Sequence, residues 1–419
     1  MSDPSTEAGV KVLGRTVPLA RTAGLRRLSL IACAGGFLSA GMRAAFSVEY
    51  PAIASDLGWT AAEVTTAFSI AMFVYAVGGI GTGFLIDRFG VRPLMTAGVA
   101  LLALASAGAS RVDSLPMLYL TWGLVMGLGM SAVGFVAVLK ALSAAPHRMG
   151  AGFGMFAIGR GVGAIVVSPG IQALIDTIGW RASHQVMAAA CAALVLGVAI
   201  AAPSARAWRP ADASTRARPD LRFGPFWLIM VGTLCLGFWN LVPTHQVAHL
   251  MLVGFSGQVA AGLAGLLGGM TLVAGLFVGR LADRAPSALM VVGSGLLVLG
   301  TIALAVTEPS RPWLLGLYVL ASGLGRGIIV LAFAVIEGRV LPRASLAFMG
   351  SLLEVGIGLG LVTGPWVGAQ WRDVSGSYVP GLMVGAAAMV VSCAATCAAF
   401  ALHRRHAPRA PREHAVAAA

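Results

Sequence analysis

The sequence predicts an all-α membrane protein of twelve transmembrane helices, arranged as two six-helix bundles. Three observations carry that prediction. The 419 residues are 58% apolar and only 11% charged, with a mean hydropathy of +0.86, against roughly a quarter charged in ordinary soluble chains. The apolar residues gather into blocks of about 17–27 residues, the length a helix needs to cross a bilayer core. Short motifs recur at one constant offset of 196 residues, so the chain reads as a duplicated half. The same composition excludes soluble multidomain enzymes, which need more polar surface, and disordered chains, which are less apolar. Five cysteines are too few for a secreted disulfide scaffold, and the ten-residue alternating segments of a β-barrel are missing.

In chain order the blocks cover 28–48, 63–85, 94–110, 115–139, 149–175 and 184–202, then 225–244, 257–279, 288–307, 312–336, 345–370 and 378–402. Polar turn sequences separate them, such as Asp113-Ser114-Leu115-Pro116 and Thr307-Glu308-Pro309-Ser310. Residues 1–27 form a polar, basic tail. The first block has no short apolar region followed by a small-residue cleavage site, so a retained first helix is expected. The longest polar break, 204–223, divides bundle 28–203 from bundle 224–402, and 403–419 is a second tail. Cys33, Cys191, Cys235, Cys393 and Cys397 all fall inside blocks, as helix-packing residues do. Of the 29 Lys and Arg residues, 22 lie in the tails, the central break and the loops on that same side. This bias puts both termini in the cytoplasm. A multi-pass protein of the inner (plasma) membrane is expected, and the net charge of +13 is mostly an orientation signal, not a nucleic-acid footprint.

The repeat is specific. Leu85-Ile86-Asp87-Arg88 returns as Leu281-Ala282-Asp283-Arg284, Gly127-Leu128-Gly129 as Gly323-Leu324-Gly325, and Pro169 as Pro365, each 196 positions on. Parallel six-helix repeats build one large transporter architecture, with substrate held near the midplane between rocking halves. The stretch Gly83-Phe84-Leu85-Ile86-Asp87-Arg88-Phe89-Gly90-Val91-Arg92 resembles the signature loop of the major facilitator superfamily, departing from it at Val91. That resemblance covers essentially the whole chain. It implies the major facilitator fold and alternating access, with Gly83, Asp87, Arg88, Arg92, Asp283 and Arg284 at a cytoplasmic gate. Gly41-Met42-Arg43-Ala44-Ala45-Phe46-Ser47-Val48, the run from Arg148 to Arg181, and Gly325-Arg326-Gly327 resemble bacterial monocarboxylate porters and oxalate/formate-type antiporters. Unlike many of those proteins, block 257–279 carries no charge before Arg280.

Charges inside the membrane point to function, because each costs about 2.5–3.5 kcal/mol at the bilayer centre. Arg43, Arg160, Arg326 and Glu354 qualify. Three positive charges against one negative suit an anion, and Arg can grip a carboxylate with two parallel hydrogen bonds. Arg43, Arg160 and Arg326, with Trp239, Asn240 and Tyr75, are therefore the candidate substrate-binding residues. Glu354, the lone carboxylate at that depth, is the candidate proton-coupling residue. Competing readings are a helix-to-helix brace between Arg326 and Glu354, and an Arg160 turned to backbone carbonyls at a glycine contact. Tyr75, Trp122 and Trp239 either line a cavity or anchor at lipid headgroups. His245 and His249 read as a polar mouth of the pathway.

No catalytic constellation, cofactor motif or metal-ligand set stands out, so no enzyme activity, cofactor or metal is expected. The glycine patterns at 159–163 and 356–360 lie in apolar helices and read as close-packing surfaces. The expected function is secondary active transport of a small organic anion, a monocarboxylate, by proton symport through a functional monomer. The runner-up is proton-driven efflux of amphipathic drugs or metabolites.

Overall fold

The computed structural model describes residues 9–12, 15–143, 149–201, 224–342 and 346–406, with side chains for most of those from Ser29 to Arg405. The central break 204–223 and most of the 403–419 tail lie outside the described residues. Among the described residues, twelve long helices run up and down. They are α1 Leu19–Leu57, α2 Ala61–Phe89 and α3 Val91–Ala109, then α4 over 115–143. A single helical stretch, Met149–Ala201, supplies α5 (149–178) and α6 (180–201). The second half is α7 Gly224–Leu252, α8 Gly257–Arg284, α9 Pro286–Ala305, α10 Trp313–Val340, α11 Leu346–Ser375 and α12 Val379–His406. Outside the bundles, β1 (Gly9–Val12) and β2 (Arg15–Pro18) pair antiparallel in the N-terminal tail, an element the sequence reading lacked.

Local chemistry sets the boundaries. The 53 residues from Met149 to Ala201 would span about 80 Å as one straight helix, more than twice a bilayer core. The chain reverses instead at Gly179, whose φ of 80° and ψ of 163° suit a residue without a Cβ. Thr60 opens α2 with a reciprocal capping box. Its hydroxyl accepts from the Glu63 backbone, and the Glu63 carboxylate accepts from the Thr60 N–H at 2.8 Å. Gly90, at φ 91°, turns α2 into α3 and explains the glycine of the signature loop. In α4 a π-helical segment, Tyr119–Val125, precedes a break at Gly134, where any Cβ would collide with the Tyr75 ring.

Within each half the tightest packing repeats. Helix α1 lies on α5 as α7 lies on α11, the same pairs shifted by one repeat. A Cβ on Gly159 would run into the Cys33 backbone carbonyl, and one on Gly360 into the Leu234 carbonyl. Gly159, Gly163 and Gly360 are therefore where backbones meet, while Gly161, Gly356 and Gly358 pack against side chains. Gly159→Leu should cost about 1–3 kcal/mol through overpacking, read as a lower melting temperature in detergent. An unchanged melting temperature would show that α1 and α5 do not meet this closely.

The two halves meet along α2–α11 and α5–α8. On the side remote from the chain termini, hereafter the distal side, hydrogen bonds fasten them. Tyr50 on α1 reaches His245 Nδ1 at 2.9 Å and the Tyr378 hydroxyl at 3.1 Å. Asp373 at the end of α11 accepts from the first N–H groups of α2, Ala61 at 3.2 Å and Ala62 at 2.8 Å. The Ser69 hydroxyl donates to the Val362 carbonyl at 2.8 Å.

Candidate functional site

A cavity of about 470 Å³ sits between the halves. It extends from Ser47 and Gln246 toward Gly154 and Gly275, nearer the terminus side. Arg43, Arg160, Arg326 and Asn240 all line it, and no Asp or Glu is among its lining residues. The three arginines act on one another electrostatically, Arg160 with both others and Arg326 with Arg43. Three like charges in one cavity repel unless an anion enters.

Two of the guanidinium groups, those of Arg43 and Arg326, are held from behind. On α1 the Arg43 Nε donates to the Ser39 carbonyl at 3.1 Å and Nη2 to the Ser39 hydroxyl at 3.2 Å, with the Tyr75 ring 5.7 Å away. Of its five N–H donors, three stay free of those bonds. On α10, Arg326 Nη2 donates to the Asn240 side-chain oxygen at 3.2 Å, and its guanidinium lies 6.0 Å from the Trp239 ring. Asn240 is itself fixed. Its amide nitrogen donates to the carbonyls of Leu236 and Gly237, both at 3.2 Å, which turns its oxygen to Arg326. Those bonds are local because α7 breaks here, between its segments Gly224–Phe238 and Leu241–Leu252. Discontinuous helices of this kind expose polar backbone and side chains to transport cavities.

The structure separates residues that the sequence grouped. Trp239 is 1% exposed and donates its indole N–H to Thr301 at 3.1 Å, so it backs Arg326 from behind the cavity wall. Tyr75 does the same for Arg43. Trp122 neither lines the cavity nor reaches the lipid boundary; it is fully buried against Phe46. Glu354 is exposed on α11, seven residues before the cavity-lining Leu361, hence about two helical turns toward the terminus side on the same face. It interacts electrostatically with Arg160, and no such interaction with Arg326 supports the competing reading of an Arg326–Glu354 brace among the described residues.

The expectation of a polar mouth at His245 and His249 is corrected, since both are 1% exposed. His245 Nε2 meets the Pro365 carbonyl at 2.7 Å and His249 Nε2 meets the Leu304 carbonyl at 3.0 Å. A carbonyl only accepts, so in the neutral ring Nε2 of His245 carries the proton and Nδ1 accepts from Tyr50. This is a latch between halves. Missed by the sequence reading were neutral lining residues, among them Ser47, Thr244 and Gln246, the last bound to the Tyr318 hydroxyl. A polar side chain in an apolar span, recurring on α7 at 240, 244 and 246, was the available signal.

At the terminus side, Gly83 sits half-buried on α2. Arg88 and Arg284 occupy equivalent last turns of α2 and α8, where a cation complements the helix dipole. Arg88 packs over Phe89, and Arg92 donates its Nε to the Ala199 carbonyl, tying α3 to α6. The Asp87 and Asp283 side chains lie outside the described residues.

Comparison with known proteins places this arrangement. The chain is 29% identical over 359 residues to monocarboxylate transporter 13 of Bos taurus, covering 82% of this chain and 80% of that protein. It is 26% identical to monocarboxylate transporter 11 of Homo sapiens, over 83% of this chain and 77% of the relative. It is also 26% identical to a chloramphenicol resistance protein of Streptomyces lividans, over 87% and 94%. Among solved structures, a bacterial homologue of the human lysosomal transporter Spinster, inward-facing and occupied, superposes with a TM-score of 0.69 at 17% identity, over 92% of this chain and 97% of that one. The nucleoside transporter NupG does so at 0.68 and 15%, over 89% and 99%. The model of one family, described as Major Facilitator Superfamily, matches residues 32–365. A twelve-helix duplicated fold, a central cavity between its halves and that match together make this chain a transporter belonging to the Major Facilitator Superfamily.

Proposed function

We propose that the protein carries a small organic anion, a monocarboxylate, across the inner membrane by proton symport with alternating access. The observation that supports this reading is the cavity itself, lined by three arginines and no carboxylate. Beside the charges, Phe68, Leu267, Leu272 and Leu361 give an apolar wall suited to the hydrocarbon end of an amphipathic acid. The relatives named monocarboxylate transporters agree with that chemistry. With the termini cytoplasmic, as the basic loops imply, the latched distal side is external and the conformation is inward-facing. Substrate sits on Arg43, Arg160, Arg326 and Asn240, with Trp239 and Tyr75 positioning the guanidinium groups. Glu354, below the cavity and within reach of Arg160, exchanges the coupled proton with the cytoplasmic side. The bundles 28–203 and 224–402 are the moving bodies, and one copy suffices.

The test is uptake of labelled carboxylates into proteoliposomes under imposed pH gradients. Wild-type protein is expected to concentrate the substrate when protons flow inward. Glu354→Gln is expected to lose that accumulation. Accumulation that follows the gradient unchanged in Glu354→Gln would remove this residue from the mechanism. Export of cationic drugs with no carboxylate uptake would favour efflux, the second reading; one relative is named a chloramphenicol resistance protein.

A further inference from the structure

The seam between α1 and α6 holds an ionisable pair that the cavity does not use. Glu49 and His184 are both 0% exposed, and the Glu49 Oε2 to His184 Nε2 distance is 3.6 Å. Among the described residues, neither carboxylate oxygen and neither ring nitrogen has a hydrogen-bond partner. Leaving a lone carboxylate dry and unpartnered costs several kcal/mol. With the imidazole neutral and the carboxylate ionised, the pair carries a net charge of −1. One added proton brings it to zero, whether it rests on the carboxylate or on the ring. The closed seam therefore favours the protonated pair.

A line of packed groups separates this pair from the distal surface. Asp56 lies seven residues, about two turns, along α1 from Glu49 and is exposed. Its carboxylate accepts from the Trp180 indole N–H at 3.0 Å, and Trp180 stacks edge-on against His184 with ring centroids 6.0 Å apart. Arg181 completes the outer end, 3.7 Å from Asp56 and bonded to the Val112 carbonyl at 2.7 Å. Pro51 lies between Glu49 and Asp56 and frees the Ser47 carbonyl, giving α1 a place to bend. Helix α1 thus carries Arg43 in the cavity, Glu49 in the seam and Tyr50 in the latch within eight residues. Other ionisable groups on the elements packed here include Arg43 and Tyr50 on α1, Glu63 and Arg88 on α2, Arg92 on α3, Arg111 and Asp113 beyond it, Arg160 and Asp176 on α5, Cys191 on α6, and His245 and His249 on α7.

We propose that Glu49 and His184 form a proton-binding site loaded from the distal face, which couples transport to the proton gradient through α1. The proposal rests on the anion-transport reading above. When the distal side opens, α1 bends at Pro51, the seam admits water and the pair exchanges its proton with that side. Closure is favoured only with the proton in place, because the dry seam does not tolerate the net charge. When the terminus side opens, the pair gives its proton to water entering from the cavity, whose wall includes Ser47 two residues along α1 from Glu49, and Glu354 exchanges it with that side.

The experiment compares two assays in the same proteoliposomes: carboxylate counterflow, which needs no net proton movement, and accumulation driven by a pH gradient. In Glu49→Gln, counterflow is expected to stay within about threefold of wild type while gradient-driven accumulation is lost. Glu49→Asp is expected to restore part of the accumulation. Accumulation equal to wild type in Glu49→Gln would overturn the proposal. So would loss of counterflow in both variants, which would make the pair a packing element. Absence of carboxylate counterflow in wild-type protein would instead defeat the anion reading, and this inference with it.

Discussion

Arg326→Ala is expected to weaken binding of a small carboxylate roughly 30- to 700-fold, about 2–4 kcal/mol at 1.4 kcal/mol per tenfold. The magnitude follows from a charge-assisted contact in a largely apolar cavity between the halves. Nη2 is spent on Asn240, which leaves four N–H donors for a ligand. Arg326→Lys keeps the charge but loses the planar fork and the stacking on Trp239, and should fall between the two. The apo protein is expected to respond in the opposite sense. Arg326 faces two like charges and no carboxylate lines the cavity, so its removal relieves repulsion. The melting temperature without ligand should hold or rise while the carboxylate-induced shift disappears. Thermal-shift titration with a carboxylate panel reads both at once. A brace would behave differently, losing apo stability when cut, and that result would take Arg326 out of the binding site. Stabilisation of wild-type protein by cations alone would sink the anion reading.

Much of this site was legible because insertion into a membrane penalises charge. Arg43, Arg160 and Arg326 stood out in apolar blocks, and the cavity collects all three. The twelve blocks were legible for the same reason. What stayed hidden depended on where helices end and which way side chains turn. The first apolar block ends at residue 48, before Glu49 and Tyr50, whereas α1 continues through Pro51 to Leu57. Proline inside a membrane helix is tolerated where neighbouring helices compensate the missing bond, which hydropathy does not record. Depth alone placed Trp239 and Asn240 together. Only the break in α7 sends Asn240 to the cavity and Trp239 behind it. His245 and His249 read as solvent-facing by composition, yet their partners are two carbonyls far along the chain.

Asp373→Ala is expected to release the distal side. The carboxylate caps the N-terminus of α2 from the other half, satisfying N–H groups that the helix itself leaves unpaired and complementing its dipole. Contacts of this kind contribute about 0.5–2 kcal/mol, enough to move a two-state equilibrium roughly 2- to 30-fold. Folding of α2 should survive, because the Thr60–Glu63 capping box remains. Tyr50→Phe removes the hydroxyl that joins His245 and Tyr378 and should shift the equilibrium the same way. Combined, the two changes should add, since they act on separate contacts of one interface, unless the latch opens fully with the first. The readout is a cysteine at Ser47, in the cavity wall, placed in a background without the native cysteines and labelled by a membrane-impermeant maleimide from the distal side. Labelling is expected to accelerate 2- to 30-fold in Asp373→Ala, and carboxylate binding measured from that side should strengthen with it. Labelling at the wild-type rate in both variants would mean that these bonds do not hold the distal side closed.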